Sequence, residues 1–150
     1  TDDLHQQLEQ LMFVDSIMQK TLSLPQYKKL LACNYLVHLH YEDELFKNIS
    51  KHATDLLNIP ARKKLNALKN DLQEAGLNTD SLTNVFIKPL DIKNESSAIG
   101  AMYVLEGATL GGSVIVKQLR LNQNFSPSLN FNYYKIKSIL LNANSKSIEL

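Results

Sequence analysis

The sequence predicts an all-α fold in one domain. Apolar residues recur at helical spacing almost from end to end. Glycine and proline are scarce, 5 and 4 in 150 residues, so little interrupts a helix. Where the pattern does break, capping and turn residues stand at the break.

Taken in order, Leu4, Leu8 and Leu11 fall at i, i+4 and i+7, the stripe of a first helix. Met12, Phe13, Val14 and Ile17 carry it to about Lys20. Ser23-Leu24-Pro25 is a helix start, with serine to cap and proline in the first turn. A long helix then runs from Pro25 to about Lys51 on Leu30, Leu31, Leu36, Leu39, Leu45, Phe46 and Ile49. Ile59-Pro60 restarts the chain. A third helix spans Ala61 to Ala75 on Leu65, Leu68 and Leu72, with Gly76 as its C-terminal cap. A short turn is expected near Asp80 or Ser81. Val85-Phe86-Ile87 fits either a strand or a buried helix segment, and Pro89 ends it. Asn94-Glu95-Ser96-Ser97 opens a helix expected to continue to about Leu121. A polar loop covers Asn122 to Asn132, and a last helix starts near Tyr133. There is no internal repeat or linker, so residues 1–150 form one expected domain.

Composition narrows the function classes. Hydrophobic residues at 44% and charged residues at 21% are ordinary globular usage and argue against disorder. Lys+Arg number 16 and Asp+Glu 15, a net charge of +1. Only Arg62 and Arg120 are arginines, so no bias toward nucleic acid or an anionic membrane follows. One cysteine, Cys33, excludes an internal disulfide and any CxxC metal site. No apolar run approaches the roughly 18 residues of a membrane span. No signal-peptide pattern opens the chain, which starts at Thr1 rather than Met. The cytoplasm is the expected compartment.

Four of the five glycines lie between Gly100 and Gly112. Gly100, Val104, Gly107 and Gly111 are spaced i, i+4, i+7 and i+11, one side of a continuous helix, with Gly112 beside them. Each interior glycine costs a helix about 1 kcal/mol against alanine, so something must approach that side closely. Two readings compete: tight packing of a second helix, or a flat ligand lying on bare backbone.

Of the four histidines, His38 and His40 are two apart and diverge on a helix. No glutamate stands three residues before any histidine, which argues against a di-iron carboxylate bundle. His5 has Glu9 one turn on. Glu9 can accept from one ring nitrogen and leave the other for a metal; the alternative is a solvated histidine near a frayed end. No Ser-His-Asp set, phosphate loop or zinc spacing is recognisable.

Tyr103-Val104-Leu105-Glu106-Gly107-Ala108-Thr109-Leu110-Gly111-Gly112 resembles the distal helix of heme oxygenases. The likeness is closest to bacterial, biliverdin-producing forms, including those associated with bacteriophytochromes. Leu4-His5-Gln6-Gln7-Leu8-Glu9 resembles the family's proximal segment, and Tyr27 to Leu45, with Tyr35 and Glu42-Asp43-Glu44, its second helix. The likeness covers most of residues 4 to 121. It implies a helical bundle holding heme between a proximal and a distal helix, and so favours the flat ligand. His5 is then the iron ligand and Glu9 orients it. Gly107, Gly111 and Gly112 let the distal backbone lie close to the heme. Where many members carry Asp after the first distal glycine, this chain has Ala108; Thr109 offers a hydroxyl there or, equally, bonds its own helix backbone. The propionate-binding positions map to Tyr134, Lys135 and Lys137. Family members carry further helical sequence after the segment around Tyr134.

The activity so implied is cleavage of heme to biliverdin, CO and Fe²⁺ with O₂. Electrons come from a ferredoxin, a flavodoxin or an NADPH-linked reductase; heme is substrate and cofactor together. Two further classes remain open: a catalytically inactive heme-binding or signalling domain of the same fold, and a structural bundle that uses its glycines for packing.

Overall fold

The computed structural model describes residues 13–82, 84–85, 88, 90–107, 109 and 111–136. Helix α1 is Val14–Met18, α2 Leu24–Lys47, α3 Lys51–Leu57, α4 Leu65–Glu74, α5 Glu95–Gly107, α6 Gly112–Leu121 and α7 Asn132–Lys135. Two 3₁₀ turns, Ile59–Arg62 and Thr79–Leu82, flank α4. No strand occurs among the described residues, so the fold is all-α, as expected.

Helix α2 is the spine. Ser23 accepts from the Gln26 amide at 3.2 Å, and the Gln26 side chain accepts from the Ser23 amide at 2.9 Å, a reciprocal capping box. The buried residues of α2 are Tyr27, Leu30, Leu31, Tyr35, His38, Glu42 and Leu45, a stripe at helical period. Its upper part packs on α4 through Leu68 and Leu72, and on the aromatic group Phe125, Phe131, Tyr133 and Tyr134. Tyr27, Phe125 and Phe131 meet edge-on or tilted at 5.2–5.9 Å. A second cluster, Ile49, Ile59, Ala98 and Met102, lies under α5.

Two expected helices are broken. The long helix ends at Lys47, not Lys51. Asn48 turns its side chain back onto the Glu44 carbonyl at 2.8 Å, and Ser50 caps α3 by accepting from the Ala53 amide. The helix expected from Asn94 to Leu121 is two, α5 and α6. Between them Gly111 stands at φ +78°, a left-handed conformation outside any right-handed helix. Gly111 therefore does not continue the i, i+4, i+7 face of Gly100, Val104 and Gly107. The third helix begins later than expected, at Leu65, because Ile59–Arg62 is a 3₁₀ turn. Gly76 ends it as expected. Phe86, Ile87 and Pro89 lie outside the described residues; Val85 is exposed.

Replacing Ser23 with Ala removes one half of the capping box. We expect a loss of about 1 kcal/mol, read as a lower urea midpoint at unchanged slope. An unchanged midpoint contradicts the capping account.

Candidate functional site

Helix α5 has two unlike sides. Ala98, Met102 and Glu106 recur every four residues and are buried. At about 100° per residue, Gly100, Val104 and Gly107 fall on the opposite side. There Val104 is 77% exposed. A Cβ added at Gly100, Gly107 or Gly111 meets no described atom within 4 Å. Among the described residues this side has no helix packed on it. It is bare backbone flanking one apolar side chain.

The other side is fixed by buried charge. Lys64 stands at the start of α4 and is 1% exposed. Its ammonium donates to the Thr109 hydroxyl at 2.8 Å and lies 3.4 Å from a Glu106 carboxylate oxygen. The Thr109 hydroxyl in turn donates to the Glu106 carbonyl at 3.1 Å. Burial pulls the Lys64 pKa down, and the Glu106 carboxylate opposes that shift. The Lys64 backbone amide donates to Glu42 Oε2 at 3.1 Å, and the same oxygen lies 2.9 Å from His38 Nδ1. One residue thus ties α2 through its backbone and the end of α5 through its side chain.

Helix α7 is held by α4 as well. The buried Asp71 carboxylate accepts from the Asn132 amide at 2.9 Å and the Tyr133 amide at 2.8 Å. Burial raises the Asp71 pKa, and the two amides draw it back. The Tyr133 hydroxyl reaches Asn34 Oδ1 at 3.1 Å. The Tyr134 carbonyl is pressed against Gly112: a Cβ there would overlap the carbonyl oxygen and sit 3.2 Å from its carbon. The segment 106–112 is therefore gripped at both ends by elements anchored on α4.

His5 and Glu9 lie outside the described residues, as do Ala108 and Lys137. Gly107 and Gly111 are on open backbone, with no described atom within 4 Å of an added Cβ. Three other expected residues face elsewhere. The hydroxyl of Thr109, which the sequence left open between the distal side and its own helix backbone, is buried, bonds the Glu106 carbonyl and accepts from Lys64. Gly112 has a packing reason, the Tyr134 carbonyl, rather than an open face. Tyr134 is 4% exposed, and burial raises its pKa, so its ring belongs to the core and not to a solvent-edge carboxylate. Lys135 is exposed. His38 diverges from exposed His40 as expected and is buried against Glu42.

Sequence reasoning missed Lys64, Glu106, His38, Glu42 and Asp71 as a set. A signal was present. Lys64 is in phase with Leu68 and Leu72, Glu106 with Ala98 and Met102, and His38 and Glu42 with Tyr27, Leu31 and Tyr35. A charged residue in phase with an apolar stripe is bound for burial and must find a partner.

Residues 1–147 match the family model described as heme oxygenase. No curated protein and no solved structure matches the chain.

The two kinds of glycine predict opposite responses to a methyl group. Gly100→Ala gains helix propensity in open space and raises stability by up to about 1 kcal/mol. Gly112→Ala drives a Cβ into the Tyr134 carbonyl and costs about 1–3 kcal/mol. Chemical denaturation of both variants checks this; equal responses contradict the assignment of the two sides.

Proposed function

The chain belongs to the heme oxygenase family, whose members degrade heme, and from that premise we propose that it binds heme on the open side of α5 and opens the ring to biliverdin. The observation that carries the reading is the bare backbone at Gly100 and Gly107 beside Gly111. A planar macrocycle gains most where its face meets a surface without protruding side chains. The glycines also cost helix stability that no described residue packed on that side repays. The residues present therefore fit the group.

Bound heme supplies the iron that takes O₂ and the ring that is cleaved, so it is substrate and cofactor at once. The protein's part is positional. His5 would hold the iron, and Glu9, one turn on, would accept from the other ring nitrogen and fix its tautomer. Backbone at Gly107 and Gly111 approaches the distal side. Lys135 is placed in solvent, where a cationic side chain can meet a propionate. Electrons come from outside, from a ferredoxin, a flavodoxin or an NADPH-linked reductase. We assign the activity to the bacterial biliverdin-producing type and to the cytoplasm.

One observation favours a second reading, a heme-binding domain without turnover. Ala108 has no polar group, and the Thr109 hydroxyl is spent on the buried side, so neither side chain supplies a distal hydrogen bond.

Titration with hemin is expected to give a Soret band and a one-to-one complex. With O₂ and a reductant the complex yields biliverdin in a single turnover. His5→Ala is expected to alter the ferric spectrum; an unchanged spectrum shows that another residue is the ligand. Gly107→Leu places a side chain on the open face without entering left-handed backbone. It is expected to fold and to lose turnover, and full turnover contradicts the placement of heme on this face. Hemin binding without ring opening selects the second reading.

A further inference from the structure

We propose that Lys64 is a positioning residue for the heme face: from the buried side, through Thr109 and Glu106, it sets where the backbone of Gly107, Thr109 and Gly111 lies. The proposal rests on the heme reading for what the face holds, but the positioning itself is a property of the protein without ligand.

Three features point to it. The first is the target. Lys64 does not grip the middle of a helix. It binds Glu106 and Thr109, which bracket Gly107 and precede Gly111. This is the place where α5 stops, before the next helix begins at Gly112. Glycine at 107 and 111 leaves the backbone few restraints of its own. Among the described residues the turn is held by Thr109 N to Glu106 O at 3.1 Å, Gly112 N to Thr109 O at 2.9 Å, and Val114 and Ile115 amides to Gly111 O at 3.0 and 3.1 Å.

The second feature is chemical economy. A buried lysine–glutamate pair is a poor way to gain stability, because desolvation of two ions offsets most of their attraction. Apolar side chains would fill the same space. What an ion pair with an added hydroxyl bridge supplies is direction. The ammonium must stay where both Glu106 and Thr109 reach it, which leaves one register for the turn.

The third is the rigidity of the anchor. The Lys64 backbone amide is bound to Glu42, which is bound to His38, both on the buried stripe of α2. The far end of the same segment is set by Gly112 against Tyr134, whose helix is capped by Asp71 of α4. A shift of α4 therefore moves both ends of the distal turn together.

Thr109→Val keeps the ion pair and the side-chain volume and removes only the bridge. A double variant, Lys64→Met with Glu106→Leu, removes both charges together and leaves neither ion buried alone. In the ligand-free protein, amide exchange at Thr109, Gly112, Val114 and Ile115 is expected to rise roughly tenfold in both, with the core amides of α2 and α4 unchanged. Thr109→Ser is expected to restore the wild-type rates. Wild-type rates across the turn, or equal acceleration throughout the chain, overturn the proposal.

The second arm uses hemin. If the turn sets the distal backbone, the Soret position and the acid–alkaline transition of the ferric complex shift in Thr109→Val and return in Thr109→Ser. Unchanged spectra overturn the link to the heme face. Failure of the wild-type protein to bind hemin refutes the heme reading, while the exchange result still judges the role of Lys64.

Discussion

The ammonium of Lys64 lies out of water between Glu106 and Thr109, and the arrangement around it depends on that charge being satisfied. Leaving one partner of such a pair without the other costs about 3–5 kcal/mol, a large fraction of a small domain's stability. Thr109 must therefore turn inward, Glu106 must face α4, and the opposite side of α5 is left to glycines and Val104. The open face and the buried clamp are two consequences of one helix orientation.

The glycines divide along the same line. Gly112 exists because a backbone carbonyl comes too close for a Cβ. Gly111 exists because the chain turns through left-handed backbone. Gly100 and Gly107 meet neither demand from any described residue. Steric need explains the first two, and the proposed heme face accounts for the others. Packing is thus the reason for Gly112, while the flat-ligand reading is the one proposed for Gly100 and Gly107.

Local chemistry was legible in the sequence. The cap at Ser23 with Pro25, the stop at Gly76, the turn near Asp80 and the polar loop after Leu121 all follow from residues within a few positions of each other. The breaks at Asn48 and Gly111 were not legible from periodicity, since apolar spacing continues across both. At Asn48 a side chain competes for a helix carbonyl; at Gly111 the chain turns through left-handed backbone beside Thr109, whose hydroxyl meets Lys64. That contact joins residues 45 apart, and no local pattern encodes it. The same distance explains Thr109. A bond from its hydroxyl to its own helix backbone was legible and forms, whereas the Lys64 partner, which lies on another element, was not. The open face was half legible: spacing placed Gly100, Val104 and Gly107 together, but could not tell whether a helix or a ligand lay against them.

The most direct test asks which backbone the ligand touches. A diamagnetic porphyrin such as gallium protoporphyrin can be titrated into isotope-labelled protein while amide resonances are followed. The account predicts large shifts at Gly100, Gly107 and Gly111, with Gly76 and Asp71 unmoved. Shifts confined to the surfaces of α2 or α4, with the α5 glycines unmoved, contradict it.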